Sequence, residues 1–187
     1  MRTPSDSVWA RFAVSLSLAL LVVGATSGPA GSADVSLGDL RIAPDRIGPV
    51  VIGMTQDQVG SALGTAVTTD SLVNSCVFFG VPGLNGGALQ LLATEGTRLD
   101  LILVNGPGIR SSKGIQVGST LRRLRTRYRR RLARAPRGNN LSAADQFYWV
   151  RSSAGTGNVL RFSVYNGRVS GMTAGPRSLV VNFGECA

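Results

Sequence analysis

Residues 52–64 read IGMTQDQVGSALG, and this stretch carries the helix signals on which the fold prediction rests. Thr55 is a good N-cap, and Gln58 three positions later completes a capping box. Two aliphatic residues follow four positions apart, the spacing that places them on one helix face. Gly64 comes next as a helix-terminating residue. The stretch therefore predicts a short amphipathic helix that begins after Thr55 and ends before Gly64.

The same pattern returns 65 positions later as 117-VGSTLRRLRTRYR-129. Each copy has an aliphatic residue, a glycine, one further residue and a threonine, and then a helical apolar pattern. Thr120 is the second predicted N-cap. At 100° per residue, four apolar side chains after it fall within an arc of about 80°. They are Leu121, Leu124, Tyr128 and Leu132, and they predict an amphipathic helix over residues 121–134 that lies on a sheet.

Strand-like segments follow each predicted helix. They are 75–81, 88–93 and 98–104 after the first helix, and 146–151, 159–164 and 168–173 after the second. Glu95-Gly96 and Asn166-Gly167 are tight-turn dipeptides between alternating strands, related by an offset of 71. The sequence therefore predicts an α+β fold of two tandem repeats, residues 47–106 and 114–183. Each repeat is a helix followed by an antiparallel meander of about three strands.

The N-terminal segment is typical of a secretory signal peptide. Arg2 and Arg11 precede an apolar run over residues 12–25, and small residues follow up to Ala33. Fourteen helical residues extend about 21 Å, which is too short for a hydrocarbon core of about 30 Å. We expect cleavage after Ala33 and an extracytoplasmic, monomeric mature protein with no membrane span; an uncleaved N-terminal anchor is the alternative. Residues 34–46 are then a lead-in segment, and residues 184–187 a C-terminal tail.

The composition argues against catalysis. The chain has no histidine, which excludes histidine-based triads and Cys/His zinc sites. Ten acidic residues are present, but no spacing motif pairs two of them for acid–base chemistry. We therefore expect no enzyme activity, no metal and no cofactor.

Two cysteines remain, Cys76 and Cys186. In an exported protein an even number of cysteines predicts a disulfide, which here encloses a long loop. Two free thiols are the alternative.

The charge of the chain is strongly positive, with a net charge of +10 at pH 7 and a pI of about 11.3. Lys113 is the only lysine, so almost all of the basic residues are arginines. A G+C-rich codon bias together with solubility is one explanation of this basic composition, and an anionic partner is the other. The candidate face for such a partner is basic and points away from the apolar stripe: Arg122, Arg123, Arg127, Arg129, Arg130 and Arg134. An ordinary solvated helix face is the alternative. Export argues against nucleic acid, and the narrow apolar stripe argues against membrane insertion.

The segments IGMTQDQVGSALG and VGSTLRRL resemble the helix-opening motif of small secreted bacterial α+β proteins. These include the β-lactamase inhibitory proteins, which are tandem repeats, and the small outer-membrane assembly lipoproteins of the SmpA/OmlA type, which carry one such unit. The resemblance implies a binding role rather than an enzyme. We therefore predict an exported protein-binding or inhibitor-like module, with Tyr148 and Trp149 as aromatic anchors unless they lie in the core. The alternative is an envelope-associated assembly factor held to polyanions by the basic helix.

Overall fold

The computed structural model describes residues 36–73, 76–83, 87–94, 96–136 and 146–182. The predicted signal peptide and the C-terminal tail lie outside these ranges. Within them, the helices are α1 (Gln56–Leu63), α2 (Leu121–Tyr128) and α3 (Arg177–Val181), with 3-10 turns at Leu37–Asp39 and Arg129–Arg131. The strands are β1 (Arg41–Ala43), β2 (Arg46–Ile47), β3 (Val50–Val51), β4 (Thr68–Val73), β5 (Cys76–Gly80), β6 (Leu89–Ala93), β7 (Leu101–Val104), β8 (Arg110–Ser111), β9 (Ala133–Arg134), β10 (Gln146–Arg151), β11 (Asn158–Tyr165) and β12 (Arg168–Pro176).

The described strands form two sheets. The larger has eight strands in the order β4-β5-β6-β7-β12-β11-β10-β9, and its neighbours pair antiparallel. The smaller has the order β3-β2-β1-β8, in which β1 and β8 are parallel. Strand β7 is buried on both faces because its alternate residues pack in apolar clusters on the two sides of the larger sheet.

The predicted fold class is wrong. The segments assigned to two separate helix-plus-meander repeats join through the β7–β12 pairing into one continuous sheet, so the described part of the chain is mostly β. Each half of that sheet also has a fourth strand, β4 or β9, that the sequence pattern does not predict. The lead-in segment, expected to be without pattern, enters the smaller sheet with β1. Hydrogen bonding between strands that are remote in sequence, which the local pattern does not encode, decides this architecture.

The helix-entry predictions are confirmed. Thr55 Oγ1 accepts from the Gln58 amide (3.4 Å), and the Thr55 amide donates to Gln58 Oε1 (2.9 Å), which completes the capping box. Gly64 ends α1 with a left-handed φ of 68°. Thr120 caps α2 by accepting from the Arg123 amide (3.2 Å).

The two helix entries share an arginine contact that the sequence alignment misses. Arg98 Nη1 donates to the carbonyl of Gly53 (2.9 Å), and Arg168 Nη1 donates to the carbonyl of Gly118 (3.1 Å). Arg98 therefore corresponds to Arg168, one position away from the predicted alignment. The predicted Asn166-Gly167 turn is confirmed, since it joins β11 to β12 with positive φ at both residues.

Two apolar clusters occupy the two faces of the larger sheet. The first lies between that sheet, α1, α2 and the smaller sheet, and it includes Val59, Leu124 and Phe162, each 0% exposed. The second lies on the opposite face under α3, where Val180 is also fully buried. Helix α2 is therefore a surface helix whose inner face belongs to the main core.

Candidate anion-binding surface

Helix α2 presents its arginines to solvent because its apolar stripe faces the core. Leu124 and Tyr128 are buried, and Leu121 and Leu132 are packed against the same cluster. The six arginines of the predicted face are all exposed: Arg122, Arg123, Arg127, Arg129, Arg130 and Arg134. We call these six residues the arginine surface.

The predicted helix over residues 121–134 is too long. Helix α2 ends at Tyr128, a 3-10 turn occupies Arg129–Arg131, and Arg134 lies in strand β9. The break occurs at Arg129, whose φ of 47° and ψ of −124° are incompatible with a continuing helix. A non-glycine residue held at positive φ costs about 1–3 kcal/mol, and such strain is concentrated at functional sites.

We expect Arg129→Gly to raise the free energy of unfolding by about 1 kcal/mol, because glycine adopts this φ without strain. Chemical denaturation of the purified protein would measure the change. Arg130→Gly is the matched control: it removes the same charge from a neighbouring exposed site without positive φ. The control should lower stability by about 0.5 kcal/mol. Equal destabilisation by both changes would contradict the presence of backbone strain at Arg129.

The arginine surface is not neutralised by the rest of the described chain. Across the described ranges one ion pair is present, between Arg46 Nη2 and Asp45 Oδ2 (3.3 Å). Arg125, by contrast, is held in place: its Nη2 donates to Tyr148 Oη (2.8 Å), and its guanidinium lies over the Tyr148 ring (5.6 Å). The surface therefore carries its positive charge without a carboxylate partner among the described residues.

Two adjoining clefts lie at the end of α2. The inner cleft, of about 350 Å³, is lined by residues that include Asp45, Arg46, Ser112, Tyr128, Arg131 and Arg151. The outer cleft, of about 480 Å³, is lined by residues that include Arg130, Arg131, Trp149, Arg151, Ser152 and Ser153. Both volumes fall in the range of small-ligand sites.

The outer cleft exists because β9 is short. Strand β9 pairs with Tyr148 and Trp149 of β10 and ends there, so Val150 and Arg151 have no β9 residue opposite them. The 3-10 turn places Arg130 and Arg131 along this part of the edge. A short edge strand and a strained helix end together bring arginines from two segments to one cleft.

Tyr128 lines the inner cleft as a buried hydroxyl. Its side chain is 5% exposed, and no group of the described residues lies in hydrogen-bond geometry with Oη. Burial raises the pKa of Tyr128, while the nearby side chains of Ser111 and Ser112 and the charge of Arg131 act in the lowering direction. The hydroxyl therefore stays protonated at neutral pH. A buried polar group without a partner costs about 1–3 kcal/mol.

The two aromatic residues proposed as anchors are buried. Tyr148 is 7% exposed, and its hydroxyl donates to Gln146 Oε1 (2.9 Å). Trp149 is 4% exposed, and the Arg177 guanidinium lies 4.6 Å from its ring centroid. Trp149 contributes to the wall of the outer cleft, but neither ring offers a partner an exposed aromatic face.

Arg161 is a buried arginine that the sequence did not single out. It is 7% exposed, its Nη1 donates to the Val180 carbonyl, and its guanidinium lies 5.2 Å from the Phe147 ring centroid. Its Nε has no hydrogen-bond partner among the described residues, and burial lowers the pKa of the guanidinium. Because its bond is to α3, Arg161 attaches that helix to the second face of the sheet.

The pairing of Cys76 with Cys186 stays a prediction, because Cys186 lies outside the described residues. Cys76 is 3% exposed and shares an apolar cluster with Val180 of α3. Helix α3, which ends at Val181, packs on the same face of the sheet as Cys76. This placement supports the pairing.

Sequence reasoning identified two residues of the clefts as site residues, Arg130 for an anionic partner and Trp149 as an aromatic anchor. It did not identify Arg46, Arg131 or Arg151 as members of a site. The signal for Arg131 is its sequence neighbours, since it directly follows Arg130 of the predicted basic face. Arg46 and Arg151 lie far away along the chain, so no local pattern connects them.

Two searches within the described residues give negative results. No group of three or more histidine, cysteine or carboxylate side chains is arranged to hold a metal ion. None of the described helices has the length and apolar character that crossing a membrane requires.

Comparison with known proteins leaves the family open. No family model and no curated protein matches the chain. The uncharacterized protein yfeY from Escherichia coli has a similar structure, with 14% identity and a TM-score of 0.46 over 72% of this chain and 99% of that one. An extracellular protein containing a SCP domain from Bacillus anthracis str. Ames has 9% identity and a TM-score of 0.41, over 70% of this chain and 46% of that one. This chain thus spans less than half of the second protein. Likeness at this level carries no functional argument, and the resemblance to inhibitors and assembly lipoproteins stays a prediction.

Proposed function

We propose that the protein is an exported, non-catalytic binding protein that holds an anionic polymer of the cell envelope on the arginine surface. The observation that carries this proposal is the exposure of all six predicted arginines without a carboxylate partner among the described residues. Export rests on the signal-peptide pattern of residues 1–33.

The electrostatics of α2 favour a bound anion. Arg123 and Arg127 are four positions apart on one helix, where like charges destabilise by about 0.2–0.5 kcal/mol. Arg122 and Arg123 lie in the first turn, where the helix dipole also disfavours positive charge. An anionic partner offsets both costs, and a bare solvated face leaves both in place.

The inhibitor-like alternative receives no specific support. Its proposed anchors, Tyr148 and Trp149, are buried. A protein partner that reached them would first have to displace the contacts made by Arg125 and Arg177.

The experiment compares two charge-matched double variants for binding to poly-L-glutamate at about 0.15 M salt. Arg123→Glu with Arg127→Glu changes the arginine surface. Arg110→Glu with Lys113→Glu changes the net charge equally at exposed positions outside that surface. Exposed ion pairs contribute about 0.2–1 kcal/mol each, and each reversal replaces an attraction with a repulsion of similar size, so the first variant should weaken binding roughly tenfold. The control should change it less than threefold, because charges beyond about 8 Å are screened.

Thermal unfolding should show both variants folded, with melting temperatures within a few degrees of the parent protein. Equal loss of binding in both variants would show a dependence on net charge alone and overturn the proposal. Binding that survives about 0.5 M salt would overturn it as well, because exposed charge pairs are screened at that concentration.

A further inference from the structure

We infer that the inner and outer clefts bind the phosphate monoester group of a small organic ligand. The inference rests on the proposed function in one respect, that the ligand is anionic, but it concerns clefts that share only Arg130 with the arginine surface. The two clefts share walls that include Arg131, Arg151 and Ser152.

The charge of the inner cleft matches a dianion. Among the described residues, three arginines line it, Arg46, Arg131 and Arg151, together with one acidic residue, Asp45. The carboxylate is paired with Arg46 at 3.3 Å, so two positive charges remain uncompensated. A phosphate monoester carries about −1.5 to −2 at pH 7, whereas a carboxylate or a sulfate ester carries a single charge.

The donors come from several directions. Arginine forms paired hydrogen bonds with phosphate oxygens, and hydroxyls can donate to the remaining ones. Ser112 and Tyr128 line the inner cleft, and Ser153 lines both. Tyr128 Oη is buried at this site and has no hydrogen-bond partner among the described residues, so an oxygen that enters the cleft would satisfy it.

The clefts are larger than a bare phosphate group requires. The outer cleft adds the wall of Trp149 and Val150 beside Arg130, and none of the described residues that line it carries a carboxylate. An apolar wall next to a cationic one suits an organic substituent attached to the phosphate. Arg129, whose φ is positive, immediately precedes the arginines of this wall. Backbone strain is concentrated at functional sites, so strain at this point is expected if these arginines bind a ligand.

The test is isothermal titration calorimetry at about 0.15 M salt and pH 7.5 with phenyl phosphate, phenyl sulfate and inorganic phosphate as probes. Phenyl phosphate should bind at least tenfold more tightly than phenyl sulfate, which has a similar shape and one charge less. It should also bind more tightly than inorganic phosphate, because the ring occupies the outer cleft. At pH 5 the phosphate ester loses its second charge, and its affinity should fall toward that of the sulfate.

Variants locate the site. Arg131→Gln and Arg151→Gln should each weaken phenyl phosphate binding at least tenfold, whereas Arg123→Gln, outside both clefts, should change it less than twofold. Tyr128→Phe removes the hydroxyl alone and should weaken binding several-fold while the protein stays folded. Absence of saturable binding would overturn the inference, as would equal affinity for the ester and the sulfate or equal loss in Arg123→Gln and Arg151→Gln. Retained poly-L-glutamate binding in that case would leave the proposed function standing.

Discussion

Leu124→Asp is expected to remove a large part of the protein's stability at 25 °C. Leu124 is 0% exposed and packs in the cluster between α2 and the larger sheet. A carboxylate at this position has no described cation placed to pair with it, and the cost of burying an unpaired charge exceeds the usual range of single substitutions. The expected loss is more than about 4 kcal/mol, out of a total stability of about 5–15 kcal/mol for a typical domain.

Circular dichroism during urea denaturation would measure this loss. Arg123→Asp, one position earlier and exposed, is the matched control and should change stability by less than about 0.5 kcal/mol. A folded Leu124→Asp protein with near-parental stability would show that α2 does not depend on the core for its position.

Gly175→Ala is expected to destabilise the protein by roughly 3 kcal/mol or more. Gly175 has a φ of 150°, and a Cβ there would collide with the carbonyl oxygen of Asp100 and lie 2.8 Å from Leu101 Cδ2. Overpacking costs about 1–3 kcal/mol, and a disfavoured backbone conformation adds a similar amount. Strand β12 pairs with β11 on one side and with β7 on the other, and this pairing restricts the backbone movement that would relieve the clash.

Gly157→Ala separates these two costs. Gly157 has a φ of 76°, but a Cβ there would meet nothing within 4 Å. In this control the free energy of unfolding should fall by about 1 kcal/mol, because only the backbone conformation is disfavoured. Equal losses in the two variants, measured by urea denaturation, would contradict the steric part of the prediction.

Local signals were sufficient to predict both helix starts. Thr55, Gln58 and Gly64 are close in sequence, and their hydrogen bonds are made within a few residues. The strand segments after each helix were likewise visible as apolar runs. The end of α2 was not predictable in the same way, because Arg129 adopts a positive φ that non-glycine residues ordinarily avoid.

The sheet arrangement and the clefts depend on information that lies between distant segments. Nothing in the sequence of β7 or β12 specifies that these two strands pair, and that pairing determines whether the fold is two repeats or one sheet. The exposed arginines could be predicted from helical spacing. The inner cleft could not, because Arg46 and Arg151 meet only after both sheets have formed.

The β7–β12 pairing also has a consequence for the rate of folding. Its three register pairs, such as Met172 with Val104, connect positions about 70 residues apart. Closing a chain loop of that length costs about 4 kcal/mol of entropy before the pairing repays it. The hairpins on either side involve shorter loops, so they can form while the apolar edges of β7 and β12 remain unpaired. Folding is then slowest at this closure, and an intermediate with two open edges is the species most exposed to aggregation.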